Sequence, residues 1–126
     1  MMKHKILIID DEKEFTVLIK EVLENTGKYE VETVNKARMG FSSVTSFNPD
    51  MILLDLVMPE EDGISIALKI RDDEKTKDVP IIFLTGIIKK EEILRQPETL
   101  KGIHFLAKPV SLKELISTIE MWLPKK

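Results

Sequence analysis

Met51-Ile52-Leu53-Leu54-Asp55-Leu56-Val57-Met58-Pro59 decides how this chain is read. Four consecutive apolar residues, followed by Met58-Pro59 and Asp62-Gly63 punctuation, read as a short strand covered on both faces, the signature of a parallel sheet interior. The run closes on a carboxylate, Asp55. An acid at the end of a wholly apolar strand directs attention to the rim of the sheet.

Outward from this stretch the pattern recurs. Ile6-Leu7-Ile8-Ile9 and Ile81-Ile82-Phe83-Leu84 are equivalent runs, and Ile103-His104-Phe105-Leu106 is a less clean one. Tyr29-Glu30-Val31-Glu32-Thr33-Val34 instead alternates, which predicts a strand with one wet face at a sheet edge. Between the strands, Phe15, Leu18, Ile19, Val22 and Leu23 form a helical stripe, and Gly27 suits its end. A second stripe, Leu112, Leu115, Ile116 and Ile119, starts at a Ser111/Glu114 capping box and stops before Pro124. Weaker helices are predicted near residues 36–47, 63–73 and 89–96, the last cut short by Pro97.

Five strands alternating with five helices give a (βα)₅ order. Crossover handedness steers such an order to an α/β doubly wound, five-stranded parallel sheet, a three-layer α/β/α arrangement with helices on both faces. With 126 residues the expectation is one domain over 1–126. A formal charge of -3 offers no basic field for a phosphate backbone, so direct nucleic-acid binding by this segment is not expected. Zero cysteines exclude a disulfide framework and thiolate metal sites. The basic start Met1-Met2-Lys3-His4-Lys5 precedes an apolar run too short for a signal peptide or membrane span, so a cytoplasmic location is expected.

In doubly wound sheets ligands gather beyond the carboxyl ends of the strands. There the first strand ends in Asp10-Asp11, the third in Asp55, the fourth in Thr85-Gly86 and the fifth in Lys108-Pro109. Seen alone, an Asp pair is most often a polar strand end and helix cap. Three converging carboxylates, however, resist ionisation unless a cation joins them. Oxygen ligands without His or Cys favour Mg²⁺, with room left for a phosphate oxygen. Lys108 adds a positive charge, Thr85 a hydroxyl and Gly86 a backbone N–H, a donor set suited to a phosphoryl group. Asp55 can then act as nucleophile, because carboxylates form aspartyl phosphates and an ionised one needs no general base.

These residues together resemble the receiver domain of two-component response regulators over essentially the whole chain. The resemblance rests on Asp10-Asp11-Glu12, on Asp55 through Gly63, on Pro80 through Gly86, and on Phe105-Leu106-Ala107-Lys108-Pro109. It implies a flavodoxin-like fold with strand order 2-1-3-4-5. It also implies phosphorylation of Asp55 by a phosphohistidine of a sensor histidine kinase or phosphotransfer protein, and Mg²⁺ held by Asp11, Asp55 and the Val57 carbonyl, with Asp10 helping through water. In such a switch Thr85 moves onto the phosphoryl group and Phe105 rotates inward. The surface of the fourth helix, fifth strand and fifth helix then changes for an output partner, or for a phosphorylation-dependent dimer. The chain would be a phosphoacceptor rather than a turnover enzyme.

Departures from the family pattern are local. Gly102-Ile103-His104-Phe105 is one residue short of the usual spacing, and Phe105 lacks a tyrosine's hydroxyl. Val57 and Ile87 are apolar where an attacking water would need a polar guide, so slow self-dephosphorylation is expected. His4 and His104 stand apart from any second His and suggest no metal site. Among rival functions, a flavin carrier conflicts with the acidic loop after the first strand. Dinucleotide and P-loop binding lack their glycine motifs. A haloacid-dehalogenase-like phosphatase expects a DxD arrangement on one strand. A receiver-like binding module that takes no phosphate conflicts with the complete acid, Thr85 and Lys108 set.

Overall fold

The computed structural model describes residues 3–86, 104–108 and 110–123. The helix expected near 89–96, together with Ile87 and Pro97, lies outside the described residues. Strands β1 (His4–Ile9), β2 (Tyr29–Val34), β3 (Met51–Asp55), β4 (Ile81–Thr85) and β5 (His104–Ala107) form one sheet in the order β2-β1-β3-β4-β5. All four neighbouring pairs are parallel. The alternating strand β2 does lie at the edge. Around the sheet are α1 (Lys13–Asn25), a 3₁₀ turn at Ala37–Met39 leading into α2 (Gly40–Phe47), α3 (Gly63–Asp72) and a C-terminal helix, Leu112–Trp122.

Two apolar layers hold the sheet. Leu7, Ile9, Ile52, Leu54 and Phe83 pack toward α2 and α3, against Val44, Ile66, Ala67 and Ile70. Ile6, Ile8, Met51, Leu53, Ile82 and Leu84 pack the other way, against Ile19 and Leu23 of α1 and Leu115 and Ile119 of the C-terminal helix. Each fully buried side chain of this size contributes about 1.5–3 kcal/mol. A one-residue slip of β1 or β3 would exchange every contact between the layers, so the register, and hence the height of each strand end, is strongly specified.

The helix ends are set by side chains where the chain turns back to the sheet. Asp62 accepts from the Ser65 amide at 2.8 Å at the start of α3. Ser111 accepts from the Glu114 amide at 3.3 Å, as the capping signature predicts.

Helix α1 differs from its predicted stripe. Ile19 and Leu23 are buried, but Leu18 is 51% exposed and Thr16 occupies a fully buried position. At 3.6 residues per turn Leu18 points about 110° away from the centre of the buried face, whereas Thr16 lies within about 50° of it. The Thr16 hydroxyl donates to the Lys13 carbonyl at 2.8 Å, which makes its burial inexpensive.

Candidate functional site

Register brings the acids together. Ile9 pairs with Leu54 across β1 and β3, so the next residue on each, Asp10 just past β1 and Asp55 at the last position of β3, stand side by side. Carboxylate oxygens of Asp10, Asp11 and Asp55 lie within 4.8 Å of one another. Asp10 and Asp55 are buried, while Asp11 faces solvent. On the far side, Thr85 pairs with Ala107, and the Lys108 amide donates to the Thr85 carbonyl at 2.8 Å. Lys108 therefore follows β5 into the same crevice.

Its ammonium reaches Asp10 Oδ2 at 2.8 Å and Glu12 Oε1 at 2.6 Å, with Asp55 Oδ2 farther away at 3.8 Å. The Phe15 ring supports it, with the centroid 4.9 Å from Nζ. Asp10 divides its two oxygens: Oδ1 accepts from the Glu12 amide at 2.9 Å, closing the turn into α1. Oδ2 is fully buried. It touches the ammonium off the hydrogen-bond direction and has no hydrogen-bond partner among the described residues. A buried carboxylate oxygen with charge nearby and an unfilled bonding position, beside two further carboxylates, fits a hard divalent cation.

The electrostatics agree. Burial, then the Asp10 charge, push the Asp55 carboxyl up to about 7, and the neighbouring Asp11 carboxyl adds to this. Lys108 and the Val57 N–H, which donates to Asp55 Oδ1 at 3.3 Å, work in the opposite direction. Asp10 is also raised, chiefly by burial, against the pull of Lys108. For Lys108 burial alone would lower the ammonium, but its contacts with Asp10 and Glu12 leave it raised. The cluster thus carries more negative charge than one lysine balances.

The other predicted residues fall around this centre. Thr85 is buried at the end of β4, with Gly86 next in the chain. Val57, two residues beyond Asp55, is 71% exposed. Phe105 is half-buried, its ring centroid 5.3 Å from that of Phe83, on the side of the sheet facing α2 and α3. The His104 ring lies 5.8 Å from that of Trp122.

Four participants escape a reading of the strand ends alone. Glu12 and Phe15 enclose Lys108. Asn35 donates from Nδ2 to the Asp10 carbonyl at 2.9 Å and to Thr16 Oγ1 at 3.0 Å, tying the end of β1 to α1. Gly63 opens α3 with its amide donating to the Leu56 carbonyl at 2.8 Å, just past the end of β3. A polar residue directly after β2 and a glycine eight positions beyond Asp55 were the available signals.

A doubly wound sheet with acids and a lysine at the point where β1 and β3 diverge defines an α/β domain of the flavodoxin-like type. Residues 6–120 match the model of the response regulator receiver domain. The phosphate regulon transcriptional regulatory protein PhoB of Pseudomonas aeruginosa is 32% identical over 95% of this chain and 52% of its own length. The DNA-binding dual master transcriptional regulator RpaA of Synechocystis is 30% identical over 91% of this chain and 47% of its own length. The chain spans about half the length of these two relatives. It matches 98% of the polar-differentiation response regulator DivK of Brucella ovis at 28% identity, over 97% of its own length. Among solved structures, chemotaxis protein CheY4 of Vibrio cholerae superposes with a TM-score of 0.87 at 25% identity, covering 97% of this chain and 100% of that one. The receiver domain of a DNA-binding response regulator from Colwellia psychrerythraea gives 0.84 at 28%, covering 94% and 97%. This chain belongs to the response regulator receiver family. No described helix is long and apolar enough to cross a membrane.

Proposed function

We propose that the chain, as a single receiver domain over 1–126, is a signalling switch that accepts a phosphoryl group on Asp55 with Mg²⁺ bound beside it. The observation that carries the reading is the convergence of Asp10, Asp11 and Asp55 within 4.8 Å, with the Lys108 ammonium 3.8 Å from the acceptor. Asp11, Asp55 and the Val57 carbonyl would hold the ion, with Asp10 acting through water. When bound, Mg²⁺ supplies the positive charge that lets these acids ionise together and neutralises phosphoryl oxygens.

The remaining chemistry belongs to the chain. An Asp55 carboxylate oxygen attacks phosphorus in line, and the bond to the leaving group breaks with its electron pair returning to that group. For a phosphohistidine donor the leaving group is an imidazole nitrogen. Lys108 and the Gly86 N–H would receive the phosphoryl oxygens, and Thr85 would supply a hydroxyl. Movement of Thr85 toward the product, with Phe105 turning further against Phe83, would carry the change outward. The donor is a sensor histidine kinase or phosphotransfer protein, and the recipient of the signal is an output domain or protein.

Incubation with acetyl phosphate and Mg²⁺, followed by intact mass, tests this directly. One added phosphoryl group is expected, lost on omission of Mg²⁺ and absent in Asp55→Asn. Phosphate retained by Asp55→Asn, or turnover of a generic phosphomonoester, would overturn the assignment.

A further inference from the structure

We propose that Glu12 is a positioning residue that holds the Lys108 ammonium back from the phosphoacceptor and gives it up when Asp55 is phosphorylated. This rests on the phosphoacceptor reading above. The ammonium donates a hydrogen bond to Glu12 Oε1 at 2.6 Å and is ion-paired with Asp10 Oδ2 at 2.8 Å. Asp55 Oδ2, at 3.8 Å, stands beyond hydrogen-bonding distance. A phosphoryl group on Asp55 would therefore compete with Glu12 and Asp10 for the same ammonium, and drawing the ammonium to it loosens one of these two close partners.

The two partners differ in what release costs. Asp10 is wholly buried, and stripping the lysine from it would leave an uncompensated charge in the interior. The Glu12 side chain is 60% exposed, so water takes the place of the ammonium readily. Glu12 is thus the partner exchanged. It stays in position because its own amide is bound to Asp10 Oδ1 at 2.9 Å. Lys108 is likewise fixed at its root by the hydrogen bond to the Thr85 carbonyl, so only its side-chain torsions change.

Glu12→Gln tests the proposal in the full chain, with phosphoramidate and acetyl phosphate as donors in Mg²⁺ buffer and intact mass as readout. Phosphorylation of Asp55 is expected to quicken roughly two- to fivefold, the range for a largely exposed ion pair. The factor should be equal for both donors, shrink in high salt, and vanish when Lys108→Met is already present. Equal rates in the unsubstituted and Glu12→Gln chains would overturn the latch while leaving the acceptor assignment intact. Acceleration that persists without Lys108, or that is confined to the more highly charged acetyl phosphate, would overturn it too, since it would reflect general repulsion. Absence of phosphate on Asp55 in the unsubstituted chain would bring down both readings.

Discussion

Gly63 lies so close to the Asp55 backbone that a β-carbon built on it would stand 2.3 Å from the Asp55 carbonyl oxygen. The next contacts, 3.0 Å to Leu56 Cα and 3.1 Å to the Asp55 carbonyl carbon, are also main chain and have no torsion by which to retreat. Gly63→Ala must therefore displace the strand end that presents the carboxylate. A stability loss of about 1–3 kcal/mol in urea unfolding is expected, together with slower phosphorylation of Asp55. Unchanged values for both would show that α3 can shift away without disturbing the acceptor.

The raised Asp55 carboxyl makes stability depend on pH near neutrality. Its folded value, about 7, exceeds the ordinary 3.8, so the folded chain holds a proton that the unfolded chain releases. That contribution is complete below the ordinary carboxylate range and is lost as pH rises through about 7. Without metal, the thermal midpoint should fall between about pH 6 and about pH 8, and Asp55→Asn should flatten most of the slope. Mg²⁺ competes with that proton, so it should raise the midpoint more at the higher pH. A midpoint insensitive to both pH and Asp55→Asn would contradict the burial-driven shift.

Asn35 anchors the carbonyl of Asp10 and the Thr16 hydroxyl with one amide group. Asn35→Ala leaves both without that donor. We expect a loss of about 1–3 kcal/mol and weaker Mg²⁺ binding, measured by calorimetry, because the first acid is no longer fixed against α1. Wild-type Mg²⁺ affinity in a destabilised Asn35→Ala would limit the residue to a purely structural part.

Leu18 and Ile19 should respond oppositely to truncation. Ile19→Ala removes a side chain packed among Leu23, Leu53 and Leu115 and is expected to cost about 2–5 kcal/mol. Leu18→Gln, at an exposed position, should stay within about 0.5 kcal/mol of the parent in denaturant melts. Similar losses at both would place Leu18 inside the core after all.

The contrast between these neighbours shows where the sequence is informative. Strands such as Ile6–Ile9 and Met51–Leu54 announce themselves because burial on both faces demands unbroken apolar runs, and the sheet follows from their order. The acids and Lys108 were legible for a related reason, as polar residues ending apolar strands. Helix faces are harder to read: Leu18 satisfies a spacing rule yet misses the core, because α1 is turned so that Thr16, its hydroxyl satisfied internally, lies nearer the centre of the buried face. Glu12 and Gly63 stand in motifs that the sequence shows, but their parts, like that of Asn35, were not legible, since they depend on distances between segments rather than on spacing within one. The ammonium that bridges Asp10 and Glu12 is set by where β5 ends relative to β1, and no local pattern encodes that.

Lys108 hangs by its amide from the carbonyl of Thr85. The two residues proposed to grip the phosphoryl group are consequently jointed at the main chain, and a displacement of one strand tip drags the root of the other. Deuterium uptake at that single amide becomes a strain gauge for the whole crevice, readable even when every side chain around it is silent.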